Sequence, residues 1–176
     1  VGEDANLTIG GALASGGSCT FDSGRIVTIL SAGDDSGISF TVTGTDVSGD
    51  SQTESITGAN AGTATGSKYF KTVTAIAAVG DPAGNVSAGI NASAGDVVFA
   101  GRVRLQGLSI VCSGTAGTLS FTTSTPAGTS QMKLGSVASA TVTRDVTIPD
   151  EGLLFGSGLY VQYTVSTFGT MTVFYA

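Results

Sequence analysis

The chain has 176 residues, enough for one large domain or two small ones, and 41% are hydrophobic, which supplies a core and argues against disorder despite 27 glycines. Only 11% are charged, the net charge is −6, and the seven basic residues are scattered, so the clustered Lys and Arg of a nucleic-acid surface are missing. Histidine is absent, which removes Ser-His-Asp and Cys-His catalysis, and two cysteines fall short of a four-ligand structural zinc site.

Residues 1–24 are weakly patterned and read as an amino-terminal arm or an edge strand. From Arg25 onward, apolar and polar residues alternate with a period of two, most clearly in Ile-Ser-Phe-Thr-Val-Thr at Ile38–Thr43. Such alternation marks strands with one face in a core and the other in water. Strands are predicted at Arg25–Leu30, Ile38–Gly44, Gln52–Thr57, Tyr69–Val79 and Asn85–Ile90. A second set is predicted at Val97–Cys112, Thr118–Thr123, Ser130–Leu134, Ala140–Ile148, Leu159–Val165 and Thr170–Tyr175. Gly, Ser, Thr, Asn and Asp fill the intervals as turn residues.

These features predict an all-β protein of one or two antiparallel β-sandwich modules, jelly-roll or immunoglobulin-like. Arg25–Gly49 and Leu105–Gly128 echo each other as strand, Ser-x-Gly turn and Ser-Phe-Thr strand, which allows an internal duplication. The expected division is an arm at 1–24, a first module at 25–94 and a second at 95–176, with a small-residue linker near Asn91–Asp96. Within Val97–Cys112 the inward set Val103, Leu105 resumes as Leu108, Ile110, Cys112. That one-residue slip at Gly107 predicts a β-bulge. Pro149-Asp-Glu-Gly152 ends the strand before it.

The chemistry on offer is thin. Asp34/Asp35, Asp46/Asp50/Glu54 and Asp150/Glu151 are carboxylate groups of the kind that hydrolyse sugars, but all sit in or beside predicted turns, where Asp caps backbone N–H groups. Asp46 and Asp50 are also weak candidates for a Ca²⁺ loop, although the twelve-residue pattern with its terminal Glu is missing. Gly58–Gly66 lacks the Gly-Lys-Ser/Thr ending of a phosphate loop and reads as a flexible connection or a surface loop. Tyr69, Phe70, Tyr160, Tyr163, Phe174 and Tyr175 fall on strands, where rings fill a core or form a sugar-binding face. Cys19 and Cys112 read as unpaired thiols, with a disulfide between them left open. The Asn-x-Ser/Thr triplets at Asn6, Asn85 and Asn91 are chance products of a Ser/Thr-rich chain. No apolar run of about 18 residues predicts a membrane span. No signal peptide is visible, and the missing initiator Met points to a processed product. The reading is therefore of a non-enzyme with no cofactor and no catalytic site.

The run SAGDDSGISFTVTGTDVSGDSQTESITGANAGTATGSKYFKTVTAIAAVG, Ser31–Gly80, resembles small virion structural proteins of tailed bacteriophages. The later part, from Gly101-Arg-Val-Arg-Leu through Ile148-Pro-Asp-Glu-Gly152 to Gly158-Leu-Tyr-Val161 and Thr172-Val-Phe-Tyr175, looks like a second such module. The resemblance implies a structural part of the virion, foremost a capsid-bound decoration (cement) protein. A head-fibre, tail or neck protein is the rival within that class, and a carbohydrate-binding adhesion module the rival outside it. It implies assembly into virions in the host cytoplasm, with the major capsid protein or other virion proteins as partners and neither nucleic acid nor membrane. No catalytic residue comes with it, so no site transfers. A homo-oligomer, for instance a trimer, is expected, and residues 1–24 are expected to anchor on a neighbour. The apolar final strand, Met171–Ala176, must lie inside its own sheet or pair with a neighbour.

Overall fold

The computed structural model describes residues 5–176; the start of the expected arm, residues 1–4, lies outside them. The chain is all-β and antiparallel, and no helix occurs among the described residues. It divides into two compact units, Val1–Asn91 and Ala92–Ala176, so the division falls at 91/92 rather than at the expected 94/95.

The first unit holds β1 (Ala14–Ser15), β2 (Ser18–Ser31), β3 (Ser39–Thr45), β4 (Ser51–Thr57), β5 (Thr63–Val79) and the start of β6 (Val86–Phe99), in the sheet order β4-β3-β5-β2-β6 with β1 beside β2. β5 is the organising strand. Its first half lies along β2, from Leu30↔Thr63 to Cys19↔Val73, and its second half along β3, from Thr45↔Thr72 to Ser39↔Val79. One strand therefore serves two neighbours in succession. Phe40, Val42 and Ile56 from one side and Val27, Ile29 and Phe70 from the other close into a single core cluster. β3 shows why these residues make a strand: Phe40, Val42 and Gly44 are buried, and the Ser and Thr residues between them are half-buried.

The expected arm does not survive this packing. β2 starts at Ser18, ahead of the predicted Arg25, and Phe21 and Leu7 belong to the core. Farther forward, Leu7 N donates to Ile76 O (2.8 Å) and Ala78 N to Ala5 O (3.1 Å), which lays this segment along β5. The alternation was hidden because Ser, Cys and Thr occupy the strand positions and because the β2–β5 register shifts between Thr20 and Arg25. Deleting residues 5–24 would thus remove the core residues Leu7 and Phe21.

The second unit contains the rest of β6, then β7 (Val103–Cys112), β8 (Gly117–Thr123), β9 (Ser130–Ser136), β10 (Thr143–Thr147), β11 (Leu153–Phe155), β12 (Leu159–Thr164) and β13 (Phe168–Tyr175). One layer runs β6-β12-β8-β9. The other is built on β7, which pairs with β10, β11 and β13. Leu105, Leu108, Ile110, Leu119, Phe121 and Phe155 fill the space between these layers, a β-sandwich core.

The expected linker at Asn91–Asp96 is strand: it lies inside β6, Ser93–Asp96 pair with Thr164–Val161, and Ala94 is fully buried. Small residues look like linker in sequence, yet extended backbone needs only a neighbour to satisfy it. Val97–Cys112 is two strands, parted at 100–102 around Gly101. The duplication is not carried by the pairing. β2 and β3 flank β5 in one sheet, whereas β7 and β8 lie in different layers. The slip at Gly107 is structural: Phe174 pairs with Gly107 but Tyr175 with Leu105, which leaves Gln106 as the extra residue.

Candidate functional site

Among the carboxylates singled out in the sequence, Asp34, Asp35, Asp46 and Glu54 accept from backbone N–H groups, and Glu151 meets a cation. Asp34 Oδ1 accepts from Ser36 N (3.1 Å) and Ser36 Oγ (2.7 Å), and its Oδ2 accepts from Asn60 Nδ2 (3.1 Å). The Ser36 hydroxyl, then its amide, holds the Asp34 carboxyl below the usual carboxylate range. Whatever this exposed group contributes to stability is present above the ordinary Asp pKa and is lost as pH falls through the depressed one. Its neighbour Asp35 is 0% exposed, and its Oδ1 accepts from Ala83 N at 2.7 Å. The two side chains share a loop but hold different partners.

Asp46 and Asp50 do come together, in the turn between β3 and β4. Asp46 Oδ1 accepts from Ser48 N (2.8 Å) and Asp50 N (3.0 Å), while Gly49 takes φ +92°. That is Asp turn chemistry. Among the described residues, no group of three or more His, Cys, Asp and Glu is placed to hold a metal ion. Asp150, at φ +59°, occupies the turn after β10, and Glu151 meets Arg104 at 2.9 Å across an exposed pair. Pairs of that kind contribute little.

Glu54 faces inward from β4. Its Oε1 accepts from Ser67 N (2.6 Å), Ser67 Oγ (2.8 Å) and Lys68 N (3.2 Å) of β5. Gly66 makes room for it, since a Cβ there would stand 2.6 Å from Glu54 Oε2. The carboxylate clasps β5 within its β2-paired half, beside the register shift between Ile26 and Thr28. Glu54→Gln replaces an acceptor oxygen with a donor facing N–H groups, and a loss of about 2 kcal/mol is expected. Urea denaturation measures it, and an unchanged midpoint would show that the clasp adds nothing.

Gly58–Gly66, expected to be a flexible connection or a surface loop, is a pinned loop that runs into β5 at Thr63. Ala61 N donates to Gly33 O (2.7 Å), and Asp34 and Asn60 form a β-bridge. A Cβ on Gly58 would lie 2.5 Å from Asp35 O, so only glycine allows that approach. Cys19 and Cys112 are both free thiols, the second buried, and burial pushes the Cys19 thiol up.

The aromatic residues split into two groups. Tyr69, Phe70 and Tyr160 are core, and Tyr163 packs against it. Phe174 (54% exposed) and Tyr175 (45%) face solvent, and the Tyr175 ring lies 5.6 Å from that of Phe99 (41%). Phe99 was not singled out in the sequence; the short apolar run Val97-Val-Phe99 was the available signal. This exposed group sits at the end of β13, which pairs with β7 from Phe168 to Tyr175 and continues through Arg104 N–Ala176 O (2.8 Å). Among the described residues no strand pairs with the other side of β13. The first unit offers a different feature, a cavity of ≈ 640 Å³ walled by Leu7, Ile9, Phe21, Val27, Ile76 and Ile90. Thr8 and Ser87 supply its side-chain hydroxyls, and no charged side chain lines it. The outer edge of β13, with its aromatic end, is the candidate functional surface. It can bind another extended chain through main-chain hydrogen bonds, and it brings no reactive group to one point.

Comparison of the chain with family models, with curated proteins and with solved structures gave no match.

Proposed function

We propose that the protein is a non-enzymatic structural component of a tailed-phage virion, bound to the capsid as a decoration (cement) protein. The observation that carries this reading is the Ser31–Gly80 run and its resemblance to such proteins. Two physical features support it. The run contains β3, β4 and β5, and its Asp46 and Glu54 carboxylates accept from backbone N–H groups. The low proportion of charge leaves Thr-rich faces that desolvate cheaply against protein. Repetition over a capsid lattice turns weak single contacts into strong attachment. Partners are then the major capsid protein and neighbouring virion proteins.

Electron microscopy of purified particles labelled with antibody against this chain tests the proposal. Label over the head surface is the expected result. Label at the tail or neck would move the protein to the rival position, and unlabelled particles would end the virion reading. The exposed Phe99–Tyr175 pair favours one further alternative, a glycan-binding adhesion module, because sugars stack on such rings. Binding on a glycan array that Tyr175→Ala abolishes would favour it.

A further inference from the structure

We infer that the outer edge of β13 is a homotypic interface, pairing antiparallel with β13 of a second copy to give a two-fold dimer. The inference concerns the purified chain and stands apart from where the protein works. An open edge presents a row of unpaired N–H and C=O groups, and folded proteins guard such edges with charges, inward-pointing ionised groups or brevity. The other edges follow that rule. β4 turns Glu54 inward, β9 exposes Lys133, β10 carries Arg144 and Asp145, and β11 has three residues. β13 reads Phe-Gly-Thr-Met-Thr-Val-Phe-Tyr, with no charge and no proline. It is held along β7 and is therefore presented as a formed template rather than a loose tail.

The charge pattern selects a second copy as the occupant. In an isologous interface every charge near the axis meets its own kind, and like charges directly opposite destabilise a ladder. The chain carries −6, so two copies repel unless they meet along a neutral strip. Among these edges β13 is the uncharged one of useful length. Around an axis at Met171 or Thr172, threonines and aliphatic side chains face each other. Thr170, Thr172 and Phe174 are exposed, and Met171 and Val173 pack on the core side.

Light scattering on a dilution series of the full chain, with Thr172→Lys, Thr172→Glu and Thr172→Val, tests the inference. Wild type and Thr172→Val are expected to show twice the 17.3 kDa chain mass, and both charged variants the single-chain mass with unchanged circular dichroism. An equimolar mixture of the Lys and Glu variants is expected to recover the double mass, because opposite charges then meet at the axis. Added salt should leave the wild-type dimer intact or tighten it. A wild-type single-chain mass at every concentration would overturn the inference. So would a trimer mass, a Lys variant that still pairs with itself, or a mixture that stays at the single-chain mass.

Discussion

Gly44→Ala is expected to lower the thermal midpoint by about 10 °C, the equivalent of roughly 3 kcal/mol for a chain of this size. The reason lies where β5 exchanges one neighbour for the other. Gly44 pairs with Val73 at a register shift in the β3–β5 ladder, and an added Cβ would stand 1.9 Å from Thr72 O. That atom is backbone, and its residue is fixed on both sides: Thr72 pairs with Thr20 of β2, and its Oγ1 accepts from Thr45 N at 3.1 Å. The clash cannot be relieved by turning a side chain, so strands must move apart. Gly37→Ala is the control. Its Cβ would meet nothing within 4 Å and its φ is ordinary, so a change under about 0.5 kcal/mol is expected there. Equal midpoints for the two variants would show that the strand exchange is more compliant than its geometry implies.

Phe155→Ala is expected to cost about 4 kcal/mol, at the upper end for a single truncation, with Phe155→Leu costing roughly 1. Phe155 is fully buried, and it projects from β11, a strand of three residues pairing with Val103–Leu105. Its ring packs in the second unit's core with Leu105 and Leu159. The neighbouring Leu154, 36% exposed, should lose less than about 1 kcal/mol on change to Ala. Chemical denaturation with near-ultraviolet circular dichroism reads both. A Phe155→Ala variant as stable as Leu154→Ala would mean that β11 is an ornament on the sheet rather than part of its core.

Alternation alone located the strands whose side chains differ sharply between faces. Ser39–Thr45 is the clearest, and even the bulge at Gly107 was visible as a slip of phase. It failed where residues are small or strands short. Ser18-Cys-Thr and Asn91–Asp96 read as arm and linker because Ser, Ala and Gly hardly distinguish inside from outside, although β2 and β6 need those positions. Leu153–Phe155 is too brief to show a period. Which strand lies beside which was not legible either. Arg25–Gly49 and Leu105–Gly128 share an alphabet, but partners distant in sequence decide that β3 borders β5 while β8 borders β12. Of the candidate surface, the sequence exposed the apolar end of the chain but not its isolation. Whether Met171–Tyr175 is an inner or an outer strand depends on what fails to pair with it, and no local pattern records that. Asp34 and Asp46 were legible as turn formers; Asp35, Glu54 and Glu151 were not, because their partners Ala83, Ser67 with Lys68, and Arg104 are distant in sequence.

The strand that crosses from residue 86 to 99 also sets an order of events during synthesis. The first unit is complete in sequence at Asn91. Ser93, by contrast, waits for Thr164, and Ala92 O for the Val165 amide. Translation must deliver nearly the whole remaining polypeptide before that ladder closes, and closure over such separations is slow. Until then Ser93–Phe99 is a nascent ribbon without its β12 partner.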